Sequence, residues 1–274
     1  MANQAEKAAT FQALHARSGA FLIPNPWDAG SARVLEGLGF EALATTSAGF
    51  AQTLGRRDGC VDLEETVVHV RTLCDASSVP LSVDLENGFA DSPEAVAAAL
   101  LRVAEAGAVG ASIEDFDGRD IYPMTQAVER IEAAVAAVGA LPFPFMLTAR
   151  AENLLHGVDD LDDTLKRLQA FAQAGADVVF APGLRSLDQV RTVCAGVACP
   201  VNVLAPFLPS ATLAELADAG ARRVSVGGAL ALVSLAPVLD AAREMLEHGS
   251  FGWLSQVRAA AAARTYLMSK EQHR

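Results

Sequence analysis

Three acidic residues close two successive apolar runs of this 274-residue chain. Asp84 and Glu86 follow Leu81-Ser82-Val83, and Glu114 follows Gly110-Ala111-Ser112-Ile113. If the runs are β-strands, Asp84 and Glu86, two residues apart, share a face, and Glu114 comes from a neighbour about 4.8 Å away. Three carboxylates that close repel one another and disturb each other's protonation, a conflict that a bound divalent cation removes. Oxygen donors without His or Cys beside them suit Mg²⁺, or Mn²⁺, better than zinc. Any one of these acids alone could cap a helix or pair with an arginine; the trio predicts a metal site at Asp84, Glu86 and Glu114.

Arg150 ends another apolar run, Phe145 to Ala149. Its planar fork suits bidentate recognition of a carboxylate, the competing use being an ion pair with Glu152 or Glu114. Thr45-Thr46-Ser47, followed by Ala48-Gly49, offers hydroxyls and backbone N–H groups to an oxyanion. Asn202 is a further polar residue in an apolar run. The chain carries 21 basic and 33 acidic residues, a net charge of −12. That sign repels nucleic acid and anionic lipid, so neither is an expected partner. An acidic protein that takes an anionic metabolite must reverse its own field locally, and a metal ion with Arg150 would do so.

These residues need elements to hold them. Eight short apolar runs recur, beginning at Ala20, Ala42, Leu81, Gly110, Phe145, Asp177, Val201 and Arg223. They are nearly continuous rather than alternating, as strands covered on both faces are. Amphipathic stretches such as Pro93 to Ala106 and Asp162 to Ala174 lie between them. Gly39, Gly107, Gly175 and Gly220 each stand where a helix should stop before the next strand. Eight βα units, with no GxGxxG in the first turn, predict an α/β fold of the closed (β/α)8 TIM-barrel type. The barrel should span residues 1–250, and residues 251–274 should form a C-terminal helical extension packed on a neighbouring subunit. Active sites of such barrels lie at the C-terminal strand ends, where the polar residues above fall. Cys60, Cys74, Cys194 and Cys199 have no CxxC spacing. With no signal-like start and no apolar run of about 20 residues, a cytoplasmic setting is expected.

Taken in order, these motifs resemble the isocitrate lyase/phosphoenolpyruvate mutase superfamily, especially its shorter bacterial members. The carriers are Pro24-Asn25-Pro26-Trp27-Asp28-Ala29, Thr45 to Gly49 with Leu54-Gly55-Arg56-Arg57-Asp58-Gly59, Val83 to Gly88, Ser112 to Asp115, and Thr148-Ala149-Arg150. The resemblance implies that Asp84, Glu86 and Glu114 bind Mg²⁺ largely through water, that Thr45, Thr46 and Ser47 help hold a 2-oxo acid or enolate, and that Arg150 grips its carboxylate. Asp58 looks like the family's catalytic loop acid, and Asn202 the remnant of its Asn-x-Thr-Glu motif. The chain departs from the pattern in having Glu86 for Asp, Thr45-Thr46-Ser47 for Ser-Gly-Gly, and Phe116 to Pro123 where lyases carry a catalytic Cys segment.

The implied activity is Mg²⁺-dependent C–C cleavage of a small 2-oxo or 2-hydroxy carboxylate, by oxaloacetate-type decarboxylation or retro-aldol reaction. Tyr122, Glu152 and His156 are the candidates to move a hydroxyl proton. P–C bond chemistry of the phosphonomutase or phosphonopyruvate hydrolase type is the alternative, and a non-catalytic 2-oxo acid-binding relic a third. Superfamily members exchange their last helix, which implies a homo-oligomer, a tetramer.

Overall fold

The structure, a computed structural model, describes residues 2–267. The chain runs α1 (Gln4–Ala16), β1 (Phe21–Ile23), α2 (Ala29–Gly37), β2 (Leu43–Ala44), α3 (Ser47–Thr53), α4 (Leu63–Ala76), β3 (Leu81–Asp84), α5 (Pro93–Glu105) and β4 (Gly110–Glu114). It continues through α6 (Met124–Gly139), β5 (Met146–Arg150), α7 (Leu161–Gln173), β6 (Val178–Phe180), α8 (Leu187–Gly196), β7 (Val201–Leu204), α9 (Leu213–Asp218) and β8 (Arg223–Ser225). Helices α10 (Ala229–Ser234), α11 (Ala236–His248), α12 (Leu254–Ala260) and α13 (Arg264–Leu267) follow. All eight strands are parallel, in the order β1-β8-β7-β6-β5-β4-β3-β2. The ring closes between β1 and β2 through the Ala44 N–H, which donates to the Pro24 carbonyl at 3.1 Å. This is the expected (β/α)8 barrel.

Helix α5 shows how the sequence builds each unit. Ser92 caps it by accepting from the Ala95 N–H, and Pro93 starts it without needing a donor. Val96, Ala99, Leu100 and Val103, at three-and-four spacing, bury one face against the sheet. Gly107 then takes φ +111° and lies against Cys74; a Cβ there would be strained and crowded. Gly39, Gly175 and Gly220 repeat the device at φ +98°, +101° and +101°.

Helix α1 closes the N-terminal end of the barrel, packing Ala8, Phe11 and Leu14 on Val109, Met146 and Val178 at or next to the strand starts. The opposite end is left to the loops. At the C-terminus, Leu232, Val233, Val238, Leu239, Leu246 and Phe251 are exposed. Tyr266 of α13 lies over Gly37, and Arg33 donates to the Leu267 carbonyl at 2.9 Å. Residues 268–274 of the expected extension fall outside the described residues. Among the described residues no helix is long and apolar enough to cross a membrane.

Candidate active site

Asp84 is the last residue of β3, and its carboxylate organises the rim. It accepts from the Ser47 N–H and hydroxyl, both at 3.0 Å, and from Arg150 Nη1 at 2.8 Å. The Asp84 N–H donates to the Thr45 hydroxyl at 2.8 Å, and Thr46 caps α3 by accepting from the Gly49 N–H at 3.2 Å. Thr45, Thr46 and Ser47 thus do gather at the predicted rim. The Ser47 donors expected to meet an oxyanion point at the Asp84 carboxylate.

Glu86 reaches the cavity by a route different from the one expected. Strand β3 ends at Asp84, so alternation along a strand does not place Glu86; the residue lies in the loop beyond, in the left-handed region at φ +48°. A non-glycine residue held there is strained and needs surroundings that over-determine it. Arg130 supplies them: fully buried, it donates to the carbonyls of Asn87, Ala90 and Asp91 and fixes the loop that follows.

Arg150 is the hub. Its Nε lies 2.7 Å from Glu152, Nη1 2.8 Å from Asp84 and Nη2 3.2 Å from Glu114, while its face covers the Phe180 ring. The ion pairs with Glu114 and Glu152 considered from the sequence are both present. Asp115, the next residue after Glu114, orients Glu152 by accepting its N–H at 2.8 Å and is itself held by Arg167 at 3.0 Å. Burial pushes the Asp115 carboxyl up to about 6 despite those bonds.

Asp58, Glu86, Glu114, Arg150 and Glu152 all line one lobe of the cavity, and Asp58 and Asp84 also face the deeper lobe. Burial, then repulsion from Asp84 and Asp58, pushes Glu86 up to about 7. Burial raises Glu114 well above the usual carboxylate range, against the pull of Arg150. Partial burial also raises Asp58, with Asp84 adding to it. Burial opposes the charge on Glu152, yet Arg150 beside it holds that carboxyl below its ordinary value. One guanidinium, paired with three of these five acids, therefore leaves the site with an excess of negative charge.

Among the described residues no three His, Cys, Asp or Glu side chains are grouped to hold a metal ion together. Arg150, bonded to both Asp84 and Glu114, stands where such a group would form. The donors are nonetheless all carboxylate oxygens, the chemistry a hard cation takes, and Mg²⁺ commonly uses one or two carboxylates while keeping several waters. Asp84, with Glu86 and Glu114 around it, fits that mode of binding without a three-ligand cage.

Other candidates separate clearly. Tyr122 does not border the cavity: its hydroxyl donates to Asp91 at 2.7 Å and its ring lies under Arg130. His156 does border it, stacked on Phe116 with ring centroids 3.5 Å apart and Nε2 3.6 Å from Glu152. The loop from Phe116 to Pro123 is a short turn closed on itself, with Asp117 accepting from the N–H groups of Arg119 and Asp120 at 2.7 Å. Asn202 lies in the deeper lobe, its amide donating to the Ser225 hydroxyl and its oxygen accepting from Arg223.

Two residues that matter here carried no assigned role in the sequence. Asn25 donates to the Thr45 carbonyl and accepts from the N–H groups of Val226 and Gly227, clipping the ends of β1, β2 and β8 together. Arg223 is buried inside the barrel. The available signal was a charged residue at the head of an apolar run, Arg223-Val224-Ser225-Val226; the barrel turns it inward, where a branched apolar residue is usual.

Comparisons with known proteins agree with this fold. The profile of the phosphoenolpyruvate phosphomutase family matches residues 11–246. The 2-methylisocitrate lyase of Escherichia coli K12 is 30% identical over 202 residues, 70% of this chain and 67% of its own length. A crystal structure from Burkholderia cenocepacia J2315, provisionally assigned as a lyase/mutase, is 49% identical with a TM-score of 0.92, covering 97% of each chain. An oxaloacetate acetylhydrolase solved with its product oxalate is 26% identical with a TM-score of 0.83, covering 91% of this chain and 90% of that one.

Proposed function

This chain belongs to the phosphoenolpyruvate phosphomutase family, within the superfamily that includes isocitrate lyases, and is an enzyme of the lyase/mutase kind; we propose that it cleaves a C–C bond of a small 2-oxo or 2-hydroxy carboxylate with Mg²⁺ bound at Asp84, Glu86 and Glu114. The observation that carries this reading is the ring of Asp58, Asp84, Glu86 and Glu114 around Arg150 at the C-terminal mouth of the barrel. Mg²⁺ there would supply a Lewis acid that offsets negative charge developing on the substrate during cleavage. Arg150 would orient a substrate carboxylate through the N–H groups that its three acids leave free. Thr45 and Ser47 keep Asp84 aimed into the cavity, and Asp58 covers the mouth from the loop after α3. The relatives support the substrate class: one is named for oxaloacetate and was solved with oxalate, another for 2-methylisocitrate. The direct test is turnover of a panel of 2-oxo and 2-hydroxy acids with and without Mg²⁺, following release of CO2, pyruvate or glyoxylate. Metal-dependent C–C cleavage is expected, and turnover confined to a phosphonate such as phosphonopyruvate would replace this reading with P–C chemistry.

Isocitrate is expected to be a poor substrate, with kcat/KM about 10²–10⁴-fold below that of the best small acid, the usual loss for a missing general acid/base. The short turn from Phe116 to Pro123 has no Cys, and Tyr122 is tied to Asp91 away from the cavity. Isocitrate turning over as fast as the best small acid would show that His156 or Glu152 moves the proton.

The barrel proper, residues 1–250, is proposed as the catalytic body and residues 251–274 as its extension, in a homotetramer. The exposed apolar side chains of α10, α11 and the segment after them form a face that a second copy of the chain would cover. Light scattering at micromolar concentration should give four times the chain mass, and a stable monomer would overturn the assignment.

A further inference from the structure

Glu152 has one carboxylate oxygen satisfied and one left over. Oε1 accepts from Arg150 Nε at 2.7 Å, whereas Oε2 is fully buried with no hydrogen-bond partner among the described residues. Against the cost of burial, Arg150 holds this carboxyl below its ordinary value, so the orphaned oxygen carries charge, and a buried charged atom left unpaired is costly. The group beside it is His156, whose Nε2 lies 3.6 Å away, beyond an ordinary hydrogen bond. Catalytic hydrogen bonds are often that long before substrate binds and shorten when it does. A proton on Nε2 is therefore the arrangement that Glu152 favours. That leaves Nδ1, without a protein partner among the described residues, as the working nitrogen of the ring.

The imidazole is also held in place. Its ring stacks on Phe116, with centroids 3.5 Å apart and planes 15° from parallel. The His156 N–H donates to the Glu152 carbonyl at 3.1 Å. The turn that carries it is closed by the Val158 N–H on the Asn153 carbonyl at 2.8 Å and by the Asn153 amide on Asp163 at 2.8 Å. The side chain, one-third exposed, borders the mouth of the cavity together with Asp58, Glu86, Glu114 and Arg150. A buried carboxylate, an imidazole oriented by it and open space in front make up a proton carrier, the carboxylate fixing the tautomer and stabilising the imidazolium.

We propose that His156 is the acid that completes the cleavage, delivering its Nδ1 proton to the carbon that has lost a carboxylate, with Glu152 and Phe116 as positioning residues. This rests on the 2-oxo acid reading of the rim. When a β-carboxylate leaves as CO2, the electron pair of the broken C–C bond stays on the remaining fragment as an enolate. That pair takes the Nδ1 proton to form a C–H bond, and the 2-oxo group is restored. The imidazole is left neutral, with its remaining proton on Nε2 toward Glu152, and regains the other from solvent. Retro-aldol cleavage of isocitrate needs a base for the hydroxyl as well as an acid for the carbanion, so one such dyad leaves that substrate slow.

The reverse transfer gives a test that needs no bond cleavage. In D2O with Mg²⁺ present, the protein should exchange the methyl protons of pyruvate for deuterium, seen by proton NMR as loss of the methyl signal. His156→Ala should slow that exchange about 10²-fold or more, the usual loss for a missing general acid/base, and leave calorimetric oxalate binding unchanged. Added imidazole should restore part of the exchange in the variant, a rescue that a merely structural role would not show. Undiminished exchange in a folded His156→Ala variant would remove His156 from the reaction. Loss of exchange and of oxalate binding together, unrestored by imidazole, would reduce it to a support of the loop. An unaltered protein that binds oxalate but leaves the pyruvate methyl group unexchanged would overturn the assignment, whether or not the variant folds, and leave the rim reading standing. Failure of oxalate to bind at all would instead overturn the 2-oxo acid reading of the rim, and this inference with it.

Discussion

Asp84→Asn is expected to lower kcat/KM about 10³-fold while the chain still folds. The substitution keeps the size of the side chain and leaves an oxygen to accept from Ser47, so the strand end and the start of α3 retain most of their contacts. What it removes is the charge at the point where Mg²⁺ is proposed to bind. Metal stabilisation of transition-state charge is worth several kcal/mol, and about 1.4 kcal/mol corresponds to each factor of ten in rate. A second readout does not depend on substrate. Ligands that bind only the folded state raise the melting temperature by mass action, so Mg²⁺ should raise that of the unaltered protein and leave the Asp84→Asn variant unmoved. Unchanged Mg²⁺ affinity in the folded variant would move the metal away from β3.

The outlines of this site were legible in the sequence because parallel strands announce themselves as short apolar runs, and several polar residues ending successive runs stand out at one end of the barrel. Asp84, Glu114 and Arg150 were found that way, β4 spans Gly110 to Glu114 as expected, and β7 starts at Val201. The four glycines at helix ends were equally readable, since a positive φ leaves few other residues to choose from. Glu86 lines the cavity, but not by the alternation expected of it: a strand end is set by hydrogen-bond pairing that apolar text does not mark, and past Asp84 the alternation rule lapses. The occupancy of Arg150 was less legible still. Whether a guanidinium meets substrate or its own neighbours depends on distances between β3, β4 and β5 that only the closed barrel defines. Arg223 was placed in the eighth run but given no role, because apolar text does not mark which way its first residue points, and only the register of β8 against β7, pairing it with Asn202, turns it inward.

Arg150→Met should be the most destabilising single change at the site, by about 3–5 kcal/mol at neutral pH, the range for breaking a buried ion pair by removing one partner. The Met side chain can still lie along Phe180, so packing is largely kept, and the loss is electrostatic. Asp84, Glu114 and Glu152 would be left close together without a cation, Glu152 at 0% exposure. The sign of the pH dependence follows from Glu152, whose carboxyl Arg150 holds below its ordinary value. A carboxylate lowered on folding adds stability above its unfolded value, about 4.3, and that contribution fades as pH falls through the lower folded value. The deficit of the variant should therefore be largest at pH 7 and shrink markedly by about pH 4, where the acids can take up protons and no longer need the cation. Urea unfolding of both proteins at the two pH values checks this. A deficit equally large in acid would mean that Arg150 stabilises the barrel by packing on Phe180, and that the acids around it do not depend on its charge.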